Sequence, residues 1–333
     1  MKNIKRHSFV LLFITLLILF IILKDDYAQI IDAIIGMKYI FLLISILVIF
    51  LSWFFKTLSM YFIVREYNKK IKMSTIFKQA IITQFFNGIT PFSTGGQPME
   101  IYMLNKCGVS VAKASNIVLQ NSMVYQVALV IYGIIALVVN ANLNLFSSVE
   151  FLGYIVAFGF LMNTLVCIGF FVLSFSRKLS STLLSIVLKI GTRLNLIKDK
   201  EKFDKEYSRR LEEFHESGRV YRSNKPLFIK GVLLNFVALT MIYITPYFLI
   251  KGMGIESIPV YLTIVTSAYV LLVGSFVPIP GGSGGIEYAF MCFFGVFVKD
   301  VSLSALLIVW RFVTYYFGMI LGGIIFSFYK GSD

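Results

Sequence analysis

The stretch Thr90–Leu104, TPFSTGGQPMEIYML, interrupts a hydrophobic region with two prolines, two adjacent glycines and a glutamate, Glu100. Proline lacks a backbone donor and glycine weakens a helix, so one unbroken helix does not fit these residues. Unpaired backbone groups are not tolerated in hydrocarbon unless they pack within protein or line a wet cavity. The stretch therefore predicts a broken helix, if the region around it lies in a membrane.

The composition places the chain in a membrane. It is 58% hydrophobic and 14% charged, whereas soluble domains are roughly 45–50% apolar and about 25% charged. The net charge of +14 comes from Lys and Arg in loops between hydrophobic runs, which indicates the positive-inside pattern rather than nucleic-acid binding. The cysteines are far apart and the two histidines lie in basic polar segments, so we expect no catalytic residue, no metal and no cofactor.

Six hydrophobic runs approach or exceed the roughly 20 residues that span a bilayer. They cover about 8–24, 39–64, 115–139, 151–175, 227–250 and 303–328. The first follows a basic start, but no small-residue cleavage site follows it, so we expect an uncleaved span. Two further apolar regions, 75–105 and 258–297, are broken by Pro and Gly near their middles.

The charges of the loops set the expected topology. Region 75–105 follows the basic segment REYNKKIKM and ends at the basic segment NKCGVSVAKAS, so it should enter from the cytoplasm and return there. Region 258–297 has weakly charged flanks and should enter from outside. The expected fold is all-α and polytopic, with about six spans, two oppositely oriented re-entrant hairpins and both termini in the cytoplasm. A single transmembrane domain, 1–333, then carries an amphipathic, charged cytoplasmic insertion at 178–225.

The two broken regions share one spacing. Pro91–x3–Gly95–x4–Glu100 matches Pro278–x3–Gly282–x4–Glu287, and each contains a double glycine. A pattern repeated at two breaks of opposite predicted entry is typical of an inverted-topology repeat. The residues expected to form hinges at the two tips are Pro91, Gly95, Gly96, Pro278, Pro280, Gly281, Gly282, Gly284 and Gly285.

Each glutamate is expected about one turn into the half-helix that follows its break. A carboxylate at membrane depth costs at least about 2.5–3.5 kcal/mol, so it needs a cation, a polar headgroup or its own proton. Glu100 and Glu287 therefore either cap a half-helix or form an ion pair that holds a hairpin, or they line a substrate site. Arg311, inside the last predicted span, is expected to pair with one of them or to bind phosphate. The N-terminus of each half-helix also favours an anion, such as a lipid phosphate.

Further polar residues surround the first break. Asn87, Thr90 and Gln97 are candidate substrate ligands, although some polar groups there should only satisfy the broken backbone. Gln120 and Asn121 add polar groups nearby. Lys56 is expected to extend its amine to the cytoplasmic face. The segment GMILGG, 318–323, predicts close helix packing.

Three segments resemble a known family. NGITPFSTGGQPMEIYML, VPIPGGSGGIEYAF and WRFVTYYFGMILGG look like the flippase-like membrane family, which includes the membrane region of lysylphosphatidylglycerol synthases, the multiple peptide resistance factor proteins. The resemblance implies a protein of the bacterial cytoplasmic membrane that moves polar lipids, in the best-known members aminoacylated phosphatidylglycerol. Full-length synthases add a cytosolic aminoacyl-transferase domain. We expect that domain to be absent, because the chain stops at Asp333.

The expected function is translocation of a polar or anionic lipid, with lysyl-phosphatidylglycerol and lipid-linked sugars as candidates. One alternative is a phosphatidylglycerol lysyltransferase, which would need aminoacyl-tRNA. Another is an accessory subunit of a separately encoded transferase or glycosyltransferase. Apart from these alternatives, the expected partners are membrane lipids, and no nucleic acid is expected.

Overall fold

A computed structural model describes residues 27–143, 145, 150–175, 182, 221, 223–255, 258–274, 277 and 279–329. Every regular element in these ranges is helical. The α-helices are α1 (Tyr27–Ile35), α2 (Tyr39–Tyr67), α3 (Met73–Gly88), α4 (Gly96–Lys106), α5 (Val111–Leu143), α6 (Glu150–Phe175), α7 (Lys225–Gly252), α8 (Val260–Gly274), α9 (Gly285–Phe294), α10 (Asp300–Arg311) and α11 (Phe317–Ser327). A π-helical turn, Phe312–Tyr316, joins α10 to α11.

Five helices are long and apolar enough to cross a membrane. They are α2, α5, most of α6 (Gly153–Val172), α7 and the continuous helix Asp300–Ser327 formed by α10 and α11. They coincide with five of the six predicted spans. The predicted span 8–24 and nearly all of the predicted insertion 178–225 lie outside the described residues.

Helices α2 and α7 run antiparallel at the centre of the fold. Near the start of α7, the Lys230 Nζ atom lies 3.3 Å from the centre of the Phe62 ring, near the end of α2. At the opposite end, the backbone N–H of Lys38 donates to the Gly252 carbonyl over 2.9 Å. These contacts define two ends of the molecule, which we call the Lys230 end and the Lys38 end.

The first broken region folds back on itself. Helix α3 ends at Gly88, a 3₁₀ turn covers Pro91–Ser93, and α4 returns along α3. Ile82 on α3 packs against Met99 and Met103 of α4 in one buried cluster. The Asn68 side chain, just beyond the end of α2, donates to the Cys107 carbonyl after α4 over 3.2 Å. The first broken pair therefore begins and ends at the Lys230 end.

The second broken region has the same form and the opposite direction. Helix α8, a 3₁₀ turn at Pro280–Gly282 and α9 follow one another, and α8 packs along α9. The rings of Tyr269 on α8 and Phe293 on α9 lie 5.3 Å apart between their centres. Because α8 follows the end of α7 after a short connection, this pair begins and returns at the Lys38 end.

The two 3₁₀ turns contact each other in the interior of the fold. Helix α3 also contacts the second turn and the π-helical turn, and it packs along α11. A β-carbon at Gly322 of α11 would collide with the Ile81 carbonyl oxygen of α3, which confirms the close packing predicted for GMILGG. The sequence repeat thus brings both breaks to one place, against the last long helix.

Candidate functional site

Arg311 organises the second break. Its Nε atom lies 2.8 Å from Glu287 Oε1, and its Nη2 atom donates to the Gly281 carbonyl over 3.1 Å and to Ser283 Oγ over 3.5 Å. Both charged residues are only 3% exposed. Of the alternatives that the sequence leaves open for Arg311, the structure has the pairing with Glu287.

Glu287 also caps the half-helix in which it lies. Its Oε2 atom accepts a hydrogen bond from the Gly284 N–H over 2.6 Å, and Glu287 is the third residue of α9. One carboxylate thus satisfies a free helix N-terminus and neutralises a buried guanidinium. Such a pair is costly to desolvate, and removing either partner leaves an uncompensated charge.

Tyr315 connects the two breaks and was not among the residues singled out from the sequence. Its hydroxyl donates to the Gly88 carbonyl at the end of α3 over 2.7 Å. Its ring lies 4.5 Å from Arg311 Cζ, and a β-carbon at Gly281 would collide with that ring. The sequence could have identified Tyr315 by its spacing, because a residue four positions after Arg311 lies on the same helix face. We call this contact the Tyr315 latch.

The first break is closed by its own polar side chains. Asn87 Oδ1 accepts from the Gly96 N–H over 2.8 Å, and Thr90 Oγ1 accepts from the Gly95 N–H, also over 2.8 Å. Thr90 in turn donates to the Phe86 carbonyl. This arrangement matches the alternative in which these side chains satisfy the broken backbone.

Glu100 is in a different environment from Glu287. It is the fifth residue of α4, too far along to cap the helix, and it is partly exposed. The nearby opposite charge is Lys56 of α2, which influences Glu100 electrostatically without forming a direct ion pair. Lys56 Nζ lies 5.0 Å from the centre of the Tyr125 ring on α5. The extension of Lys56 to the cytoplasmic face stays a prediction, and within the fold its amine lies against α5 through Tyr125.

Polar groups continue around Glu100 and Lys56. Gln97, one turn before Glu100, donates to Ser122 Oγ over 3.2 Å. Behind them, Asn235 of α7 donates to Ser59 Oγ over 2.8 Å, and Ser59 donates to Asn121 Oδ1 over 3.1 Å. Gln120 bonds to Asn116 and to the Tyr67 hydroxyl on the same side of α5.

The remaining residues that were predicted to form hinges lie at the two breaks. Pro91 starts the first 3₁₀ turn and Pro280 the second, with Gly281 and Gly282 completing it. Gly284 precedes α9 and Gly285 begins it, while Pro278 lies outside the described residues. In the part of the chain that the structure describes, no group of three or more His, Cys, Asp or Glu is placed to hold a metal ion.

Comparison with known proteins identifies the family. Residues 8–322 match the family described as the lysylphosphatidylglycerol synthase TM region. The chain belongs to this family. It is similar to a UPF0104 membrane protein of Archaeoglobus fulgidus, with 26% identity over 254 residues that cover 73% of this chain and 72% of the relative. The family resemblance predicted from the sequence is confirmed, and with five candidate spans the chain is a multi-pass membrane protein.

In this member of the lysylphosphatidylglycerol synthase TM region family, two acid–base pairs lie beside the two breaks and differ in kind. Glu287 and Arg311 are buried, in contact and bonded to the second break. Glu100 and Lys56 are partly exposed and not in direct contact. The first pair can stabilise the fold around the second break, whereas Glu100 and Lys56 do not neutralise each other by direct contact.

Proposed function

We propose that this protein moves a lipid with a polar or charged headgroup between the leaflets of the cytoplasmic membrane. The two broken pairs would be re-entrant hairpins from opposite sides, with the headgroup crossing beside their tips and the acyl chains remaining in the bilayer. One observation carries the proposal. Two helix breaks from opposite ends of the molecule meet at one place, which also holds a buried ion pair. Broken helices that meet at the midplane of an inverted repeat are typical of transporters.

The Tyr315 latch would hold the closed state. If the tips must separate for a headgroup to pass, the hydrogen bond from Tyr315 to Gly88 breaks on opening. Such a bond contributes about 1 kcal/mol net, so its loss makes opening about fivefold more frequent. We therefore expect Tyr315→Phe to translocate lipid up to about fivefold faster than wild type.

Proteoliposomes that contain trace fluorescent lipids provide the test. Dithionite added outside bleaches only the outer leaflet, so translocation appears as loss of the protected inner fraction. We expect wild type to remove that protection and Ser327→Ala, an exposed control at the end of α11, to behave like wild type. If the wild-type protein leaves the protected fraction unchanged for every headgroup tested, lipid translocation is excluded. An unchanged or slower rate in Tyr315→Phe contradicts only the role of the Tyr315 latch and leaves lipid translocation standing.

The family description supports a second candidate, because it names the membrane region of a synthase. In that case the chain would act as a lysyltransferase or as a subunit beside a separate transferase. Incubation of the purified protein with lysyl-tRNA and phosphatidylglycerol tests the first, since lysyl-phosphatidylglycerol would form. Co-purification of a transferase from native membranes tests the second.

A further inference from the structure

Glu100 and Lys56 form the one acid–base pair beside the described breaks whose charges are not already bonded to the protein. The Glu100 carboxylate neither caps α4 nor contacts a cation directly. We would expect an acid–base pair with a purely structural role to form a direct ion pair, as Glu287 and Arg311 do. Two opposite charges that are partly exposed and not in contact can instead bind the anionic and the cationic group of one ligand.

The surroundings favour a ligand at this pair. Tyr125 presents its ring to the Lys56 amine at 5.0 Å, so a cation–π contact positions this amine without a carboxylate partner. Gln97, one turn before Glu100 on α4, and Ser122, one turn before Tyr125 on α5, bond to each other and join the two helices. All five of these side chains are at least partly exposed, and they belong to the helices α2, α4 and α5.

We infer that Lys56 and Glu100 bind a net-neutral dipolar headgroup with one phosphate and one ammonium, Lys56 taking the phosphate and Glu100 the ammonium. The inference rests on the proposed function and narrows it to this class of lipid. One cation and one anion match one phosphate and one ammonium, as in phosphatidylethanolamine. Phosphatidylglycerol lacks the ammonium, and lysyl-phosphatidylglycerol carries a second one that Glu100 cannot neutralise.

The test measures binding, so it does not depend on translocation. Native mass spectrometry of the detergent-solubilised full chain compares phosphatidylethanolamine, phosphatidylglycerol and lysyl-phosphatidylglycerol with matched acyl chains. Because one charge-assisted contact is worth about tenfold in affinity, we expect wild type to bind phosphatidylethanolamine about tenfold more tightly than the other two. Glu100→Gln should lose the preference over phosphatidylglycerol, and Lys56→Met should weaken the binding of all three lipids by about tenfold, because each carries a phosphate.

Matched controls separate a ligand site from a structural role. The ratio of two lipids bound by the same preparation is insensitive to a general loss of folded protein. Glu100→Asp keeps the charge and should keep the preference, and Ser327→Ala should match wild type. Glycerophosphoethanolamine has the same headgroup without acyl chains, and tight binding of this compound would overturn the assignment to a lipid.

The inference and the proposed function can fail separately. Equal binding of all three lipids by wild type, or an unchanged ratio in Glu100→Gln, overturns the headgroup assignment even if the protein translocates lipid. A preference that Glu100→Gln abolishes supports the assignment even if proteoliposomes show no translocation.

Discussion

At the scale of the residue, one spacing in the sequence produces two different sites. Glu287 is the third residue of its helix and caps it, whereas Glu100 is the fifth residue of its helix and does not. The difference comes from where each helix begins, because α4 starts four residues before Glu100 and α9 starts two residues before Glu287. At the start of α4, Asn87 accepts from the Gly96 N–H and Thr90 from the Gly95 N–H. The spacing predicts where the carboxylates are, but not the residue at which each helix begins.

The ion pair of Glu287 and Arg311 leads to a prediction about stability. Because the pair is buried, removing one partner leaves an unpaired charge and should destabilise the protein by about 3–5 kcal/mol. We therefore expect Arg311→Met and Glu287→Gln each to lower the thermal unfolding midpoint in detergent, and the double variant to lose less than the sum of the two. A double variant equal to that sum would show that the pair is not coupled. Lys299→Met, at an exposed lysine near α10, is the control for loss of a cation.

At the scale of the element, the positions of the breaks could be predicted, while the side chains that join them could not. Pro and Gly predict both breaks, since proline and glycine disfavour a continuous helix, and the structure has a 3₁₀ turn at each. The surroundings of Lys56 could not be predicted either. It lies roughly 16 Å before the end of α2 at Tyr67, and its charged and aromatic neighbours come from the distant helices α4 and α5. Tyr315 was missed because its acceptor is a backbone carbonyl of a distant helix.

The packing of α3 on α11 gives a prediction about one methyl group. A β-carbon at Gly322 would collide with the Ile81 carbonyl, and backbone can move only if the two helices separate. Overpacking of this kind typically costs about 1–3 kcal/mol, so Gly322→Ala should lower the unfolding midpoint in detergent. Gly169→Ala on α6 is the matched control, because a β-carbon there has open space around it. An equal effect of the two substitutions would show that α3 and α11 are not close-packed in the solubilised protein.

At the scale of the whole molecule, contacts among distant residues support the predicted inversion. Asn68 and Cys107 bond at one end, which contains the flanks of the first broken pair. Lys38 and Gly252 bond at the other end, where the second pair begins. The charges of the loops predict the same two ends, because basic segments flank only the first broken helix pair. The relation of these ends to the two sides of a membrane follows from charge alone and stays a prediction.

Labelling of single cysteines tests that relation. In a chain with Cys107, Cys167 and Cys292 replaced by Ser, exposed lysines at both ends can be changed to cysteine one at a time. We expect Lys70→Cys and Lys113→Cys, which flank the first broken pair, to react with an impermeant maleimide only in inside-out vesicles. Lys38→Cys and Lys299→Cys should react only from outside.

The physical reason is that Lys-rich segments stay on the cytoplasmic side during insertion. Reaction of the cysteines at positions 70 and 113 from opposite sides would make the first broken pair a through-span and remove the inverted repeat. Reaction of all four cysteines from the reverse sides would show that the whole molecule has the opposite orientation, with both hairpins as predicted. The pattern of sidedness therefore distinguishes an error in orientation from an error in the fold, because only the fold requires both flanks of each broken pair to share a side.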